Sequence, residues 1–300
     1  MIKRTINIEN AYKLSLKDSQ LVLKLVGEDE IFKTIPIEDI ALLLIEHPQT
    51  VITHQVIIEL MNNNVAIIHC SNNYMPISIN LPLSNHSVFN ERSTYQLNAA
   101  LPLKKAMWQQ TVSAKISNQF QLLKNNKIPA AKMELWSQQV RSGDVGNLES
   151  RAAVFYWKSI FNIDGFLRNT DEPGVNQWLN YGYSILRSIA ARSLVGSGLY
   201  PSVGIFHRNK YNAYCLADDI MEPYRPFVDK MVLDLKNQGC DINQFTRGIK
   251  TKLLEIPTLD VKMDGKMSPL MIAMSRTTSS LADCYMGKLR KIRYPEFYLD

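Results

Sequence analysis

The segment from Gly196 to Pro226 contains one histidine, His207, followed by three clustered carboxylates. These carboxylates belong to Asp218, Asp219 and Glu222. Imidazole nitrogens and carboxylate oxygens are common protein ligands of divalent cations. The segment therefore indicates a metal site, provided that its side chains can meet and that a further ligand exists elsewhere in the chain.

His207 and Glu222 can share a cation only if the chain bends between them. They are 15 residues apart, which is about 22 Å along one straight helix. Ligand atoms lie only ~2.0–2.6 Å from the ion that they share. The residues after His207 are suited to a loop or to a capped helix start, namely Arg208, Asn209, Lys210 and Asn212.

The three carboxylates are predicted to lie on the helix that follows this loop. Asp219 is three residues and Asp218 four residues before Glu222, which places them on one face. Like charges at that spacing destabilise a helix by a few tenths of a kcal/mol per pair. A cation or a basic side chain such as Arg225 should offset them. The alternative is a solvated helix surface beside a structural histidine.

The best candidate for a further ligand is Glu149, in the run GNLESRAAVFYWKSIF. Asn147 is a good N-cap residue, which places Glu149 in the first helical turn, where the macrodipole favours a carboxylate. The residues predicted to pack inward at helical spacing are Ala152, Ala153, Phe155, Tyr156 and Ile160. The alternative is that Glu149 only stabilises its helix.

The composition is that of a globular protein with proper cores. The chain has 300 residues, of which 46% are hydrophobic and 21% charged. No run approaches the ~18 apolar residues of a membrane span, and the start MIKRTINIENAY lacks the apolar core of a signal peptide. The four scattered cysteines indicate reduced thiols. We expect a cytoplasmic protein with no membrane partner.

Charge is distributed unevenly along the chain. Residues 1–80 carry 6 Lys and Arg against 9 Asp and Glu, a balance of −3. Residues 81–300 carry 28 against 19, a balance of +9. A basic region that also contains the candidate site suggests a polyanionic substrate.

The hydrophobic pattern predicts an α+β protein, with a small β-rich domain at residues 1–80, a linker at 81–90 and a larger all-α domain at 91–300. Period-two alternation and short apolar runs predict strands within 1–80, interrupted by a helix from Thr53 to Met61 and together forming one sheet. Beyond the linker the clearest helical patterns are Leu103–Lys124, Pro129–Arg141, Leu148–Phe161, Val175–Leu194 and Met221–Asn237. The Val175–Leu194 helix carries a polar stripe that either faces water or lines a cleft, made of Asn176, Asn180, Ser184 and Arg187.

Two motifs carry a resemblance to a known family. The run LNYGYSILRSIAARSLVGSGLYPSVGIFHRNKYNAYCLADDIMEPYRP, residues 179–226, resembles the CRISPR-associated adaptation integrase, the universal spacer-acquisition nuclease of bacteria and archaea, and is most similar to type II forms. GNLESRAA, residues 146–153, is similar to the first metal-ligand motif of that family. The order of the domains fits the family along the full chain.

The resemblance implies a set of site residues. The metal ligands of the family fall on Glu149, His207 and Glu222, and an assisting acid falls on Asp219 or Asp218. Mg²⁺ or Mn²⁺ suits two carboxylates and one imidazole. Many relatives have Asp at the third ligand position, where this chain has Glu222 followed by Pro223. That proline predicts either a kink or the start of a new helix.

The resemblance also implies a function and partners. The implied activity is a metal-dependent DNA endonuclease and integrase, which inserts short fragments into a CRISPR array by attack of a 3′ hydroxyl on a phosphodiester at the repeat boundary. The implied partners are double-stranded DNA, a second copy bound through the β-rich domain, and a dimer of the second universal adaptation protein that bridges two such dimers. The RNA-guided effector nuclease of the same system is a further candidate partner. The alternatives are a nuclease for branched DNA and an inert DNA-binding scaffold.

Basic residues near the site are candidates for DNA contact. Arg208 and Lys210 flank His207, and the other candidates are Arg187, Arg192 and Arg225. The tail at residues 286–300 carries four cations, Lys288, Arg290, Lys291 and Arg293, and then the aromatic residues Phe297 and Tyr298. It is either a frayed terminus or a segment that contacts a partner or DNA, and the family resemblance favours contact.

Overall fold

The computed structural model describes residues 3–28, 30–83, 86–169 and 172–298. The chain forms two compact units, Met1–Ser87 and Val88–Asp300. The first unit is rich in strands and the second is mainly helical, which confirms the predicted fold class. Ser84 and Asn85 of the predicted linker, and Leu299 and Asp300 of the predicted tail, lie outside the described residues.

The strands of the first unit lie within residues 1–80, where alternation and apolar runs predict strands. They are β1 Arg4–Ile8, β2 Tyr12–Lys17, β3 Gln20–Leu25, β4 Ile31–Pro36, β5 Ile40–Ile45, β6 Val51–Ile52, β7 Ala66–Cys70 and β8 Pro76–Asn80. Helix α1, His54–Asn62, lies between β6 and β7. Asn64 adopts a φ of 54° just after this helix, a left-handed conformation that asparagine tolerates and that ends the helix.

The described strands of this unit form two sheets, so the prediction of one sheet was wrong. One has the order β1-β5-β7-β8 and the other the order β4-β3-β2-β6. Asp18 and Ser19, with φ of 49° and 57°, reverse the chain tightly, and β2 therefore pairs with β3 rather than with β1. Inward-facing residues of both sheets, including Leu14, Leu23 and Leu43, share one core. Each sheet therefore buries one face. The alternating pattern predicts that this face is buried, but it does not show which other sheet or helix covers it.

The second unit contains the helices that position the candidate site. They are α2 Phe89–Leu97, α3 Leu101–Asn125, α4 Ala131–Gln139, α5 Leu148–Ile160, α6 Val175–Gly196, α7 Cys215–Met221, α8 Arg225–Asn237, α9 Arg247–Leu253 and α10 Leu270–Tyr285. A hairpin of β9 Asp260–Met263 and β10 Lys266–Pro269 lies before α10. Neither α2 nor this hairpin was predicted, because α2 is short and polar and the hairpin strands have only four residues each. No helix of the described residues is long and apolar enough to span a bilayer.

The predicted helix Met221–Asn237 is wrong in its first turn. Helix α7 ends at Met221, a 3-10 turn covers Glu222–Tyr224, and α8 begins at Arg225. Proline has no N–H to donate and is best placed at the start of a helix, so Pro223 and Pro226 mark these new starts. The proline after Glu222 therefore opens a new turn, which was one of the two predicted outcomes.

The first two residues of the polar stripe on α6, Asn176 and Asn180, pack against protein rather than facing water. Asn176 is buried, and its Oδ1 accepts hydrogen bonds from the Arg168 guanidinium at 3.0 Å and from the Asn169 N–H at 3.1 Å. The Arg168 guanidinium also donates to Asn180 Oδ1 at 2.6 Å. These contacts hold the segment before α6 against the helix.

Candidate active site

One ammonium group joins two carboxylates that are distant in sequence. Lys115 lies on α3, and its Nζ is 2.8 Å from Glu149 Oε1 and 2.6 Å from Glu222 Oε2. The two carboxylate oxygens are therefore no farther apart than the sum of these distances. Lys115 was not among the predicted site residues. It lies in a helical stretch of ordinary composition, and only the packing of α3 against α5 and the 222–224 turn shows its role.

Helix α5 presents Glu149 in its first turn, as predicted, but the cap differs from the predicted one. Asn147 adopts a left-handed conformation with φ of 50° and its side chain makes no capping hydrogen bond. Asp144 caps the helix instead, since its carboxylate accepts from the N–H groups of Leu148 at 2.9 Å and Glu149 at 3.0 Å. The capped turn fixes the backbone of Glu149, and the Glu149 carboxylate forms its ion pair with Lys115.

Glu222 is a buried, ionised carboxylate held by two cations. Its Oε1 lies 2.9 Å from Arg225 Nε, and Lys115 lies beside its Oε2. Burial alone would raise the pKa of Glu222, but the charges of Arg225 and Lys115 outweigh burial and lower this pKa to about 2. Glu222 Oε2 is buried and accepts no well-aligned hydrogen bond from the described residues, although the ammonium is close.

Asp219 shapes the loop that carries His207. Its fully buried carboxylate accepts from the backbone N–H of Ile205 at 2.6 Å and of Phe206 at 3.0 Å. His207 Nδ1 lies 2.6 Å from Asp219 Oδ1. The hydrogen bond that Asp219 accepts from the imidazole outweighs burial and raises the pKa of His207, and the charges of Glu222 and Glu149 raise it further. Asp219 therefore orients the imidazole and leaves Nε2 as its free ligand or acid–base atom.

The close approach of this loop to α7 requires a glycine at position 204. A Cβ on Gly204 would lie 2.4 Å from the His207 carbonyl oxygen and 2.9 Å from Asp219 Oδ2. The first of these contacts is with backbone, which cannot yield without moving the loop. Gly204 is thus a positioning residue for His207 that residue-type reasoning did not identify.

The three clustered carboxylates do not share one face as predicted. Asp218 forms an ion pair with Arg187, whose Nε lies 2.7 Å from its Oδ1. Asp219 binds the His207 loop, and Glu222 lies in the 3-10 turn beyond the end of α7. Each carboxylate has a separate set of partners, which removes the predicted repulsion. Of the adjacent pair, Asp219 contacts the histidine and Asp218 does not.

The donor types suit a divalent cation, although no ready-made metal site exists. No three His, Cys, Asp or Glu side chains in the described part of the chain are arranged to hold a metal ion. Lys115 lies between Glu149 and Glu222 and marks a position that attracts positive charge. Two carboxylates and an imidazole oriented by a carboxylate form a chemically suitable set for Mg²⁺ or Mn²⁺. A metal can use this set only if the Lys115 ammonium moves away.

Another buried carboxylate, Asp229, lies on α8, one helical segment after Glu222. Asp229 Oδ2 accepts from the Tyr156 hydroxyl at 2.7 Å, and Asp229 Oδ1 accepts from the Tyr183 hydroxyl. Burial raises the pKa of Asp229 to about 6, against the opposing effect of these two hydrogen bonds. The Arg225 guanidinium lies 4.4 Å from the centre of the Tyr183 ring, so Arg225 packs between this cluster and Glu222.

The predicted DNA-contact residues fall into two groups. Arg208 and Lys210 are exposed on the His207 loop, and the Arg187 side chain is 40% exposed beside Asp218. Arg192, by contrast, is buried: the residue is 8% exposed within α6, and burial lowers its pKa to about 10. Arg225 is committed to Glu222 and Tyr183. Arg225 therefore supports the candidate site through its pairing with Glu222.

The C-terminal segment is held along α3, so of the two alternatives the frayed terminus does not apply to its described part. Asn118 donates to the Pro295 carbonyl at 3.0 Å, and the Phe297 N–H donates to Asn118 Oδ1 at 3.0 Å. Gln110 pairs in the same way with the backbone of Arg290 and Ile292. The four cations of the segment remain exposed.

Comparison with known proteins defines the class of this protein. The family model described as CRISPR associated protein Cas1 matches residues 7–256. The chain is 34% identical over 299 residues to the CRISPR-associated endonuclease Cas1 of Neisseria meningitidis serogroup C (strain 8013), covering 99% of this chain and 97% of that protein. This chain therefore belongs to the Cas1 family, as the two sequence motifs predicted.

Solved structures share the fold at low sequence identity. A casposase bound to integration product is 18% identical with a TM-score of 0.77, over 97% of this chain and 92% of that one. A chain of a Cas6-RT-Cas1–Cas2 complex is 18% identical with a TM-score of 0.76, over 100% of this chain and 37% of that one. The arrangement of a β-rich unit followed by a helical unit is thus common to these proteins.

Proposed function

We propose that this protein is a metal-dependent DNA integrase that inserts short DNA fragments into a CRISPR array. The observation that carries the proposal is the convergence of Glu149 and Glu222 on the Lys115 ammonium, together with an imidazole that Asp219 orients and whose pKa both glutamates raise. Membership in the Cas1 family and the fold shared with a casposase bound to integration product support it. The basic balance of residues 81–300 suits a polyanionic substrate.

In the proposed reaction the 3′ hydroxyl oxygen of the fragment forms a bond to phosphorus at the repeat boundary. The bond from that phosphorus to the 3′ oxygen of the array strand breaks, the attacking hydroxyl loses its proton, and the leaving oxygen gains one. A divalent cation, when bound, supplies positive charge to the phosphoryl group and to the leaving oxygen. The nucleophile belongs to the DNA, so the protein needs no nucleophilic residue.

The protein residues have separable roles in this scheme. Glu149, Glu222 and His207 would hold Mg²⁺ or Mn²⁺. Asp219 keeps the imidazole in place, and Arg225 keeps Glu222 ionised at neutral pH, since the pKa of Glu222 is lowered to about 2. Exposed Arg208 and Lys210 would hold the DNA backbone through phosphate oxygens.

The site assignment is tested by two substitutions. We expect Glu149→Ala and His207→Ala each to lower strand joining by at least about a hundredfold, because each removes a proposed metal ligand, while the unfolding midpoint stays near that of the parent protein. Joining is measured with a repeat-containing plasmid and a labelled fragment that bears free 3′ hydroxyls.

Glu134→Ala is the control, since Glu134 is also a first-turn glutamate but lies exposed on α4. Full joining activity in both Glu149→Ala and His207→Ala would refute the assignment.

A nuclease for branched DNA that does not integrate is the second candidate, because the Neisseria relative is named an endonuclease. It would use the same residues. The same plasmid assay separates the two functions: joined products support integration, whereas nicked plasmid alone supports the nuclease.

We also propose a homodimer formed through residues 1–80 and an assembly with the second universal adaptation protein, consistent with the fold shared with a chain of a Cas6-RT-Cas1–Cas2 complex. Deleting residues 287–300 would remove the buried anchor Phe297 together with the exposed charges, so it would confuse stability with contact. Substituting Lys288 and Lys291 by Glu removes charge while sparing the anchor. Complex formation is then followed by size-exclusion chromatography.

A further inference from the structure

Glu149 and Glu222 each lie seven residues before a member of one buried group of side chains. Tyr156 follows Glu149 on α5, and Asp229 on α8 follows Glu222. Along α5 this spacing is about two helical turns, or about 10 Å. The Tyr156 hydroxyl donates to Asp229 Oδ2 at 2.7 Å. The two segments that carry the glutamates are therefore joined through the Lys115 ammonium and again through this hydrogen bond.

Asp229 also holds a third helix, α6, through its other carboxylate oxygen. Asp229 Oδ1 accepts from the hydroxyl of Tyr183, a residue of α6. The centre of the Tyr183 ring is 4.4 Å from the Arg225 guanidinium, and Arg225 Nε is 2.9 Å from Glu222 Oε1. A cation is attracted to the face of an aromatic ring. The hydrogen bond that fixes this ring therefore also helps to fix the arginine that pairs with Glu222.

The Asp229 cluster, made of Asp229, Tyr156 and Tyr183, is buried away from solvent. Asp229 and Tyr156 are 0% exposed, and Tyr183 is 5% exposed. Burial, followed by the charge of Asp229, raises the pKa of both tyrosine hydroxyls, so both remain hydrogen-bond donors at neutral pH. Side chains at this depth do not touch DNA. Any effect of the cluster on the reaction therefore passes through the residues that it holds.

The paired cluster favours one arrangement of α5, α6 and α8. Each carboxylate oxygen of Asp229 accepts a hydroxyl from a different helix. A shift of α5 or α6 along α8 would leave a buried hydroxyl and a buried carboxylate oxygen without partners, which is unfavourable. The spacing of these helices is thus fixed by hydrogen bonds as well as by apolar packing.

We propose that the Asp229 cluster positions the Glu149 and Glu222 carboxylates for a shared divalent cation. Mg²⁺ demands near-ideal geometry, with ligand oxygens at about 2.0–2.1 Å. A small shift between the two segments that carry the glutamates therefore weakens its binding. The residues of the cluster are positioning residues, because they act through the glutamates and touch neither metal nor DNA. The inference rests on the proposed function, since it assigns support to the same candidate metal ligands.

The first test removes one hydroxyl at a time and keeps the aromatic ring. Tyr156→Phe and Tyr183→Phe are each titrated with Mn²⁺ alone by isothermal titration calorimetry, with the full-length protein and without DNA. We expect each substitution to raise the Mn²⁺ dissociation constant by about tenfold or more, as is typical when a residue that orients metal ligands is changed. The unfolding midpoint of each variant is measured in parallel.

Thr278→Val is the matched control, since it also removes a fully buried hydroxyl from the second unit. The Thr278 hydroxyl lies 2.8 Å from Ser197 Oγ and donates to the Ser193 carbonyl at 3.1 Å. Neither partner is a candidate site residue. We expect Thr278→Val to lower the unfolding midpoint much as Tyr156→Phe does, because both lose a buried hydrogen bond. It should bind Mn²⁺ as tightly as the parent protein.

Strand joining gives a second readout of the same variants. Because the Asp229 cluster does not touch DNA, Tyr156→Phe at a fixed, limiting Mn²⁺ concentration should lower kcat and leave KM for the DNA fragment near that of the parent protein. Thr278→Val should change neither constant. This split between kcat and KM separates a positioning role from a general loss of stability.

The outcomes distinguish the positioning role from the proposed function. Unchanged Mn²⁺ affinity in both Tyr156→Phe and Tyr183→Phe overturns the positioning role. Equal weakening in Thr278→Val overturns it as well, since metal binding would then follow stability alone. Weaker Mn²⁺ binding in the two tyrosine variants, with no DNA joined by the parent protein, supports the positioning role and overturns the proposed function. A parent protein that binds no Mn²⁺ overturns both.

Discussion

Glu222 and Asp229 are both buried carboxylates, yet they lie in opposite electrostatic surroundings. Glu222 is flanked by the Lys115 ammonium and the Arg225 guanidinium, and its pKa is lowered to about 2. Asp229 receives two tyrosine hydroxyls, and its pKa is raised to about 6. Burial raises the pKa of both carboxylates, so their different partners decide whether the pKa is finally lowered or raised.

The comparison shows what distinguishes a candidate catalytic carboxylate from a structural one in this fold. Hydroxyl donors stabilise Asp229 through neutral hydrogen bonds, which only partly offset the cost of burying a charge. Full positive charges keep Glu222 ionised and therefore available to a cation at neutral pH. Arg225 lies between the two residues, in contact with Glu222 and with the Tyr183 ring. It therefore connects the candidate site to the cluster around Asp229.

The largest expected effect comes from removing the Glu222 carboxylate. Glu222→Ala leaves Lys115 and Arg225 buried with one fewer counter-charge between them, which should lower the free energy of unfolding by about 3–5 kcal/mol. The measurement is urea denaturation at neutral pH.

The control for this substitution is Asp234→Ala. It breaks the exposed Lys230–Asp234 pair on α8 and should cost no more than about 0.5 kcal/mol. Equal losses in the two variants would show that Glu222 is not a buried ion-pair partner.

The pH dependence of stability should separate the two carboxylates. The pKa of Asp229 in the folded protein is raised from 3.8 to about 6. Its contribution to the free energy of unfolding is therefore present below pH ~4 and is lost as pH rises through ~6. This contribution amounts to up to about 3 kcal/mol. Glu222 has the opposite sign: its contribution is present above its ordinary pKa of 4.5 and is lost only as pH falls toward ~2. Asp229→Asn should remove the loss of stability that Asp229 causes between pH 4 and pH 7.

Denaturation of the parent protein and of Asp229→Asn at both pH values checks this expectation. The stability difference between the two proteins should change by up to about 3 kcal/mol in favour of the variant as pH rises. A difference that does not change with pH would mean that Asp229 titrates normally.

The smallest expected effect tests whether Lys115 occupies the place of a metal. Lys115→Met keeps the length of the side chain but removes the ammonium that Glu149 and Glu222 share. We expect Mg²⁺ or Mn²⁺ to bind at least about tenfold more tightly, or about 1.4 kcal/mol, because no competing cation must leave. Isothermal titration calorimetry measures this directly.

Lys124→Met, at an exposed position near the end of the same helix, is the reference for any general effect of removing a charge. Unchanged or weaker metal binding in Lys115→Met, relative to this reference, would show that Lys115 does not compete with a metal.

Much of the fold could be predicted from the sequence because its signals are local. Alternation and apolar runs located the strands of the first unit, and helical periodicity located α3, α4, α5 and α6 to within a few residues. The division of the strands into two sheets could not be predicted, since a strand pattern shows that one face is buried and not what covers it. Prolines at 223 and 226 split one predicted helix. The helical pattern of the surrounding residues was outweighed by these two prolines.

Residue types made His207, Glu149 and the three clustered carboxylates candidates, because few side chains bind cations. The family resemblance then selected Glu149, His207 and Glu222 as ligands, with Asp219 or Asp218 as the assisting acid. Only the tertiary structure decided that Lys115 joins the two glutamates, that Asp219 rather than Asp218 holds the histidine, and that Arg192 is buried. Ion pairs across helices depend on distances of a few ångströms between segments far apart in the chain. No periodicity or spacing along the sequence encodes such distances directly.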